Sequence, residues 1–254
     1  MLIKVVSVQA RMGRRLSLPD MIHVFKQRPD FVCLPEYWLL DDTIADFHRA
    51  ALRQREFLEY LSRLSEELST CLVGGTVVTP EGDDLYNSCP VIRQGILIGS
   101  YRKRHPVSGE MTKGIRAGAA NLLLRVDGVR VGVMVCGDVF HADMFREMRR
   151  ASADVIFVPT TSPHRPDESI GAKQERDRRY FVDGARMAGA YVIKTCGVGA
   201  LLGKPLQGRS LVAAPWGILD RIDFGREAGE RIMTATLDVD EVRDFRQKLP
   251  APAR

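Results

Sequence analysis

Long apolar runs are missing from this chain of 254 residues. No stretch approaches the roughly 20 consecutive apolar residues that span a bilayer. The opening MLIKVVSVQA carries a lysine inside an apolar run too short for a secretion signal. A soluble, cytoplasmic protein with no membrane partner is the expectation. Cysteine is sparse: five residues, Cys33, Cys71, Cys89, Cys136 and Cys196, with no CxxC pair. An odd count without paired spacing argues against a disulfide framework or a zinc site and suits a reducing compartment, so no metal is expected. Charge of one sign is not gathered into a run along the sequence. The net charge is +5, but Lys and Arg alternate with acids, as in Arg146-Glu147 and Glu175-Arg176-Asp177-Arg178, so no nucleic-acid stripe forms. Linkers, low-complexity tracts and internal repeats are also lacking, and residues 1–254 read as one domain.

The chain does have an apolar content of 45% and a charged share of 27%, enough for a sizeable core under an ordinary surface. Residues 2–9 (LIKVVSVQ) and 31–35 (FVCLP) read as buried strands, with a short helix within 18–28 that Pro29 ends. From 43 to 69 the spacing turns helical, with Phe47, Ala50, Ala51, Phe57, Leu58, Leu61, Leu64 and Leu68 on one stripe. Strands follow at 71–78, 85–93 and 96–101, then a glycine-rich loop over 103–120, a length that is often functional. Segments 121–126 and 129–135 are joined by Asp127-Gly128, a hairpin signal. Helices are expected at 141–151 and 172–188. Further strands are expected at 154–158, 190–195, 209–214 and 231–237, before a polar terminal segment. Strands separated sometimes by helices and sometimes by hairpins imply an α/β protein with mixed sheets. Two such sheets with helices outside accommodate the order, and so does a single large one.

Three polar residues stand where apolar elements stop: Glu36 after FVCLP, Lys103 after ILIGSYR and Cys136 after RVGVMV. Each alone has a plain structural reading, because a cysteine after such a run commonly packs as a small hydrophobe. Together they make chemical sense. A thiol needs a base to become a thiolate, and a carboxylate held in a dry site can serve. Attack on an amide carbonyl creates an oxyanion, which Lys103 and the backbone N–H of Gly137 can stabilise. The product is a thioester that the same base helps water to hydrolyse.

These residues resemble the nitrilase superfamily of carbon–nitrogen hydrolases, and the resemblance runs along essentially the whole chain. LPE (34–36) is similar to the segment bearing the family's glutamate, YRKRH (101–105) to that around its lysine, and VGVMVCGD (131–138) to that around its cysteine. The stretches 198–219 and 234–246 resemble its closing strand pair and turn. The resemblance implies a four-layer α-β-β-α sandwich with two mixed β-sheets, a site free of metal and cofactor, and a homodimer through the outer helices or a higher homo-oligomer. It also implies roles: Glu36 as base, Lys103 as oxyanion stabiliser, Cys136 as nucleophile, and Glu110 in PVSGE as a further glutamate that orients the lysine or the substrate.

The chain departs from the pattern after the nucleophile, where it reads Gly137-Asp138-Val139-Phe140-His141. Nitrile hydrolysers in the family carry Trp-Glu there, so Gly137-Asp138 argues for amides. Carbamoyl amino-acid hydrolysers often place an arginine in this segment, and none is present, although Arg165 could take that part. Met187 stands where the family has a structural glutamate, which suggests a repacked helix. Asp138 is expected to support the nucleophile turn. Substrate contacts are expected from Tyr37, Gly137, Phe140, His141, Thr161 and Ser162, a mixture suited to a compact amide. The leading expectation is hydrolysis of small non-peptide amides. The alternatives are an N-carbamoyl compound hydrolase, a non-catalytic binding module on the same scaffold, and acyl transfer to a soluble acceptor.

Overall fold

The computed structural model describes residues 1–250. Along the chain run strand β1 (Leu2–Arg11), helix α1 (Leu18–Lys26), β2 (Phe31–Cys33), α2 (Phe47–Leu52) and α3 (Gln54–Glu67). Next come β3 (Cys71–Val73), β4 (Val77–Glu81), β5 (Asp84–Arg93), β6 (Ile96–Arg102), α4 (Ser108–Met111) and β7 (Ile115–Arg116). The hairpin β8 (Leu122–Val126) and β9 (Val129–Val133) precedes α5 (Ala142–Arg150), β10 (Val155–Thr160), α6 (Ile170–Asp177) and α7 (Asp183–Ala188). The last elements are β11 (Tyr191–Leu201), β12 (Lys204–Leu206), β13 (Leu211–Ala214), β14 (Gly217–Arg221), β15 (Arg231–Asp238) and α8 (Val239–Lys248). Among the described residues no helix is long and apolar enough to cross a membrane.

The strands form one hydrogen-bonded network in the order β4-β5-β3-β2-β1-β11-β10-β9-β8. Its interior pairs, β3 with β2, β2 with β1, β1 with β11, β11 with β10 and β10 with β9, are parallel. Antiparallel partners surround them: β15 on β1, β5 on β3, β6 on β5 and β8 on β9. The expected mixed α/β character is therefore present. The two halves meet where Ala10 and Arg11 pair with Gly197 and Val198. Close by, the Ser7 and Thr195 hydroxyls hydrogen-bond at 2.7 Å.

Strand alternation divides the interior into two cores. Ile3, Val5, Phe31, Val73 and Val91 face a cluster shared with Val131, Val133, Phe157 and Ile193. Val6, Val8, Val32, Leu72 and Ile92 point the other way, onto Phe57, Leu61 and Leu64 of α3. Each such side chain, fully buried, contributes about 1.5–3 kcal/mol.

Some elements differ from the sequence reading. The long helical stripe is split at Arg53, whose φ of −95° and ψ of 5° end α2 and start α3. The apolar stripe continues across the break, so spacing alone conceals it. The Asp46 carboxylate caps α2 by accepting from the Arg49 N–H at 2.8 Å. The segment 172–188 includes a π-helical turn at Arg178–Val182, and Met187 packs partly buried against the core. The polar end of the chain forms α8, held by Arg243 and Arg246 on the fully buried Asp154 at 2.8 Å each.

Candidate active site

Because β2, β9 and β10 run in one direction, their carboxyl ends open on one edge, and two antiparallel steps from β3 through β5 send β6 the same way. Polar residues at these ends converge, as ligand sites at strand termini do. Glu36 follows β2 by three residues. Lys103 directly follows β6, Cys136 lies three past β9, and Thr161 directly follows β10. All four line one cavity of about 360 Å³, together with Tyr37, Glu110, Phe140 and Ser162. Gly137 and His141 are not among its lining residues; His141 is exposed and stacks on His105 with ring centroids 3.6 Å apart.

Glu36 is held in place by local backbone as well as by bonds. Gly75 sits at φ +67°, and a side chain there would overlap the Pro35 carbonyl, so this glycine lets the chain approach the Pro35-Glu36 turn. Glu36 is 1% exposed, and every oxygen is occupied. Oε1 accepts from Lys103 Nζ and Asn87 Nδ2, each at 2.9 Å; Oε2 accepts from the Thr161 N–H at 3.0 Å and the Thr161 hydroxyl at 2.6 Å.

Lys103, also 1% exposed, donates to Glu110 Oε2 at 2.6 Å as well as to Glu36. Burial alone would lower its pKa, but Glu36, the nearby Cys136 and Glu110 outweigh that and hold the ammonium well above its ordinary value. Glu110 accepts four bonds: from Tyr37 Oη at 2.7 Å, Asn87 Nδ2 at 2.8 Å, Lys103 Nζ and the Val107 N–H at 2.9 Å. Burial opposes its charge, yet Lys103 and these donors keep its carboxyl below the usual glutamate range.

Cys136 adopts φ +44°, a left-handed conformation uncommon for a residue with a side chain and a mark of local strain. Its Sγ lies 3.3 Å from the Thr161 carbonyl. Burial, then the Glu36 charge, raises the thiol pKa far above its ordinary value, so the resting sulfur is protonated. The following turn is fixed by Asp138, which accepts from the Val135 N–H at 2.8 Å, Tyr101 Oη at 2.7 Å and the His105 N–H at 2.9 Å. Those last two bonds tie the nucleophile turn to the Lys103 loop. A Cβ at Gly137 would stand 3.0 Å from Val107 Cγ1 and 3.1 Å from the His105 carbonyl, which leaves little room for any larger residue.

Sequence reading passed over Asn87. It bridges Glu36 and Glu110, and its signal was a fully buried amide in the middle of the apolar strand DLYNSCPVIR, where asparagine is disfavoured. It also took Thr161 as a substrate contact only, whereas the structure has it gripping Glu36. A third omission is a basic group, Arg176, Lys194 and Arg209, which also lines the cavity. Among the described residues no group of His, Cys, Asp and Glu is arranged to hold a metal ion.

The architecture is the nitrilase fold, a mixed α/β structure with a curled sheet. A carbon–nitrogen hydrolase from Helicobacter pylori G27 superposes with a TM-score of 0.80 at 18% identity, over 97% of this chain and 92% of that one. A variant of the amidase from Nesterenkonia sp. AN1, bearing the acetamide moiety of fluoroacetamide on its active-site cysteine, gives 0.78 at 18% identity, over 99% and 94%. In sequence, the 2-oxoglutaramate amidase of Bacillus subtilis (strain 168) is 25% identical over 228 residues, 87% of this chain and 83% of that protein. The carbon–nitrogen hydrolase family model matches residues 9–247. The chain belongs to that family, within the nitrilase superfamily, and is a carbon–nitrogen hydrolase.

Proposed function

We propose that the protein hydrolyses small non-peptide amides through a thioester on Cys136, with Glu36 as general base and acid and Lys103 as oxyanion stabiliser. The observation that carries this reading is the Lys103 ammonium seated between Glu36 and Glu110 at 2.9 and 2.6 Å, on the wall of the cavity that Cys136 also lines. In the first half-reaction the Cys136 sulfur attacks the carbonyl carbon while Glu36 takes the thiol proton. The oxyanion is met by Lys103 and the Gly137 N–H. Collapse breaks the C–N bond, Glu36 passes its proton to the departing nitrogen, and ammonia or an amine leaves. Water then attacks the thioester, giving a proton to Glu36, and the acid departs as that proton returns to sulfur.

The contacts support both charge states of the base. The Thr161 hydroxyl donates to the carboxylate and, by rotating, can accept from the carboxylic acid. Lys103, Asn87 and the Thr161 N–H hold the carboxyl group in place throughout, so little reorganisation accompanies proton transfer. Glu110 acts through Lys103, fixing its position and charge. Phe140 and Ser162 contribute wall to the substrate.

The same reading takes residues 1–254 as one catalytic domain, with helices outside two facing sheets in α-β-β-α order; the two cores support it. It also takes the protein as a cytoplasmic homodimer, which size-exclusion chromatography with light scattering would test.

The deciding experiment is ammonia release from a panel of small amides. Wild-type protein should release it and Cys136→Ala should not; turnover persisting in that variant removes the mechanism. Iodoacetamide labelling read by mass spectrometry separates an enzyme from a binding module. Cys136 should label far ahead of the buried Cys33 and Cys89.

A further inference from the structure

Beyond the catalytic cluster, the cavity is lined by Arg165, Arg176, Lys194, Lys204 and Arg209, and its lining carboxylates are Glu36 and Glu110, both held by Lys103. Arg209 is 2% exposed, and its Nε and Nη1 have no hydrogen-bond partner. The nearest acids stand off, with Glu168 at 3.8 Å from Nη1 and Asp177 at 3.7 Å from Nη2. Both are already committed. Glu168 accepts Arg176 at 2.6 Å, and Asp177 accepts Lys194 and Arg221 at 3.2 Å each. Four cations thus share two carboxylates. Burial, and after it the adjacent Arg209, push the Arg176 guanidinium below its ordinary value against the pull of Glu168.

A buried guanidinium with two nitrogens left without a hydrogen bond is costly, and its planar fork matches a carboxylate. We infer that Arg209, with Arg176 beside it, forms a carboxylate subsite, so that the substrate is a small amide bearing a carboxylate at the end away from the scissile bond. The inference rests on the hydrolase reading and narrows its substrate class. The carboxylate can belong to the acyl half, as in the monoamide of a short dicarboxylic acid, or to the departing amine, as in an N-carbamoyl amino acid. Arg209 recognises the same group in both.

The test compares kcat/KM for glutaramate with that for pentanamide, its neutral counterpart of equal chain length, and adds N-carbamoylglycine as the second arm. Wild-type protein should favour a carboxylate-bearing substrate by about tenfold or more, chiefly through KM. In Arg209→Gln the preference should collapse towards unity, and Arg209→Lys should restore part of it. The ratio is taken within each variant, so partial loss of folded protein cancels. Equal kcat/KM for charged and neutral amides, or a preference that Arg209→Gln leaves in place, overturns the subsite. The arm carrying the preference identifies the half that bears the carboxylate.

Calorimetry of glutaramate and N-carbamoylglycine on Cys136→Ala separates the two claims. Binding there that vanishes in Cys136→Ala/Arg209→Gln, without turnover by the wild type, retains the subsite and removes the hydrolase reading. Binding of neither ligand to Cys136→Ala removes the subsite.

Discussion

Exchanging Glu110 for glutamine tests whether a group that never touches the scissile bond governs its cleavage. All four of its partners in the structure are donors, two on each oxygen. A glutamine amide has one accepting and one donating end. Turned with its NH2 towards Tyr37 and Asn87, it loses least, because the tyrosine hydroxyl can rotate to accept while the oxygen keeps Lys103 and the Val107 N–H. The fold should therefore survive. What disappears is a charge: Glu36, Glu110 and Lys103 sum to −1 in the wild type and to zero in the variant. A hydrogen bond between charged partners contributes about 1.5–3 kcal/mol, and the neutral replacement recovers about half of it. With the Asn87 contact also lost, kcat should fall roughly 10- to 100-fold with little change in KM. Glu110 also helps to raise the Cys136 pKa, so the pH profile of iodoacetamide alkylation should move to lower pH in the same variant. Lys103 lowers the thiol pKa, so a displaced ammonium would move the profile the other way, and the direction of the shift reports whether Lys103 keeps its place. Unchanged kcat with a raised KM would refute this and make Glu110 a substrate contact.

Other perturbations probe other parts of the structure. Asp154→Asn leaves Arg243 and Arg246 without their buried counter-charge, a loss of about 3–5 kcal/mol that calorimetry should register as a Tm lower by roughly 10 °C. Burial raises the Asp154 pKa, but its arginine partners and the Arg130 N–H bring it below its ordinary value. Its contribution is accordingly full above about pH 4–5 and declines as the pH falls through the folded-state pKa, and chemical denaturation across that range should show the decline missing in the variant. Gly137→Ala should displace the nucleophile turn from Val107 and His105 and reduce kcat more than stability, read from parallel kinetics and melting. Leu61→Ala, at a position of zero exposure between α3 and the sheet, should cost about 2–5 kcal/mol in denaturant titration while kcat/KM of the remaining folded protein holds.

Where residue type and backbone geometry agree, the chain is legible. The β-branched run at 2–9 is the core of β1, and Asp127-Gly128, both at positive φ, make the turn between β8 and β9. Legibility fails where tertiary contacts decide. Arg53 is a good helix former, yet it breaks the helix, while its guanidinium binds Asp41 and Glu56. Helix α8 buries little beyond Val239 and Val242, so its sequence looks like solvated tail; its anchor is Asp154, more than 80 residues away. Glu36, Lys103 and Cys136 could be picked out because each follows a strand at a chemically odd point, and Glu110 only through the family resemblance. Asn87 left one trace, an amide inside an apolar strand, but its role and that of Arg209 come from which atoms they face or fail to face.

The antiparallel ladder of β1 and β15 has a mechanical corollary. Leu2 pairs with Asp238 and Gln9 with Arg231, so the first strand and the last lie side by side with their free ends at the same edge. Tension applied between residues 1 and 250 would first load the Arg243 and Arg246 clasp on Asp154, and would then unzip that ladder one pair at a time instead of shearing it. Single-molecule extension should show a low rupture force set by the clasp, followed by loss of the very strand against which β2 and β11 are built.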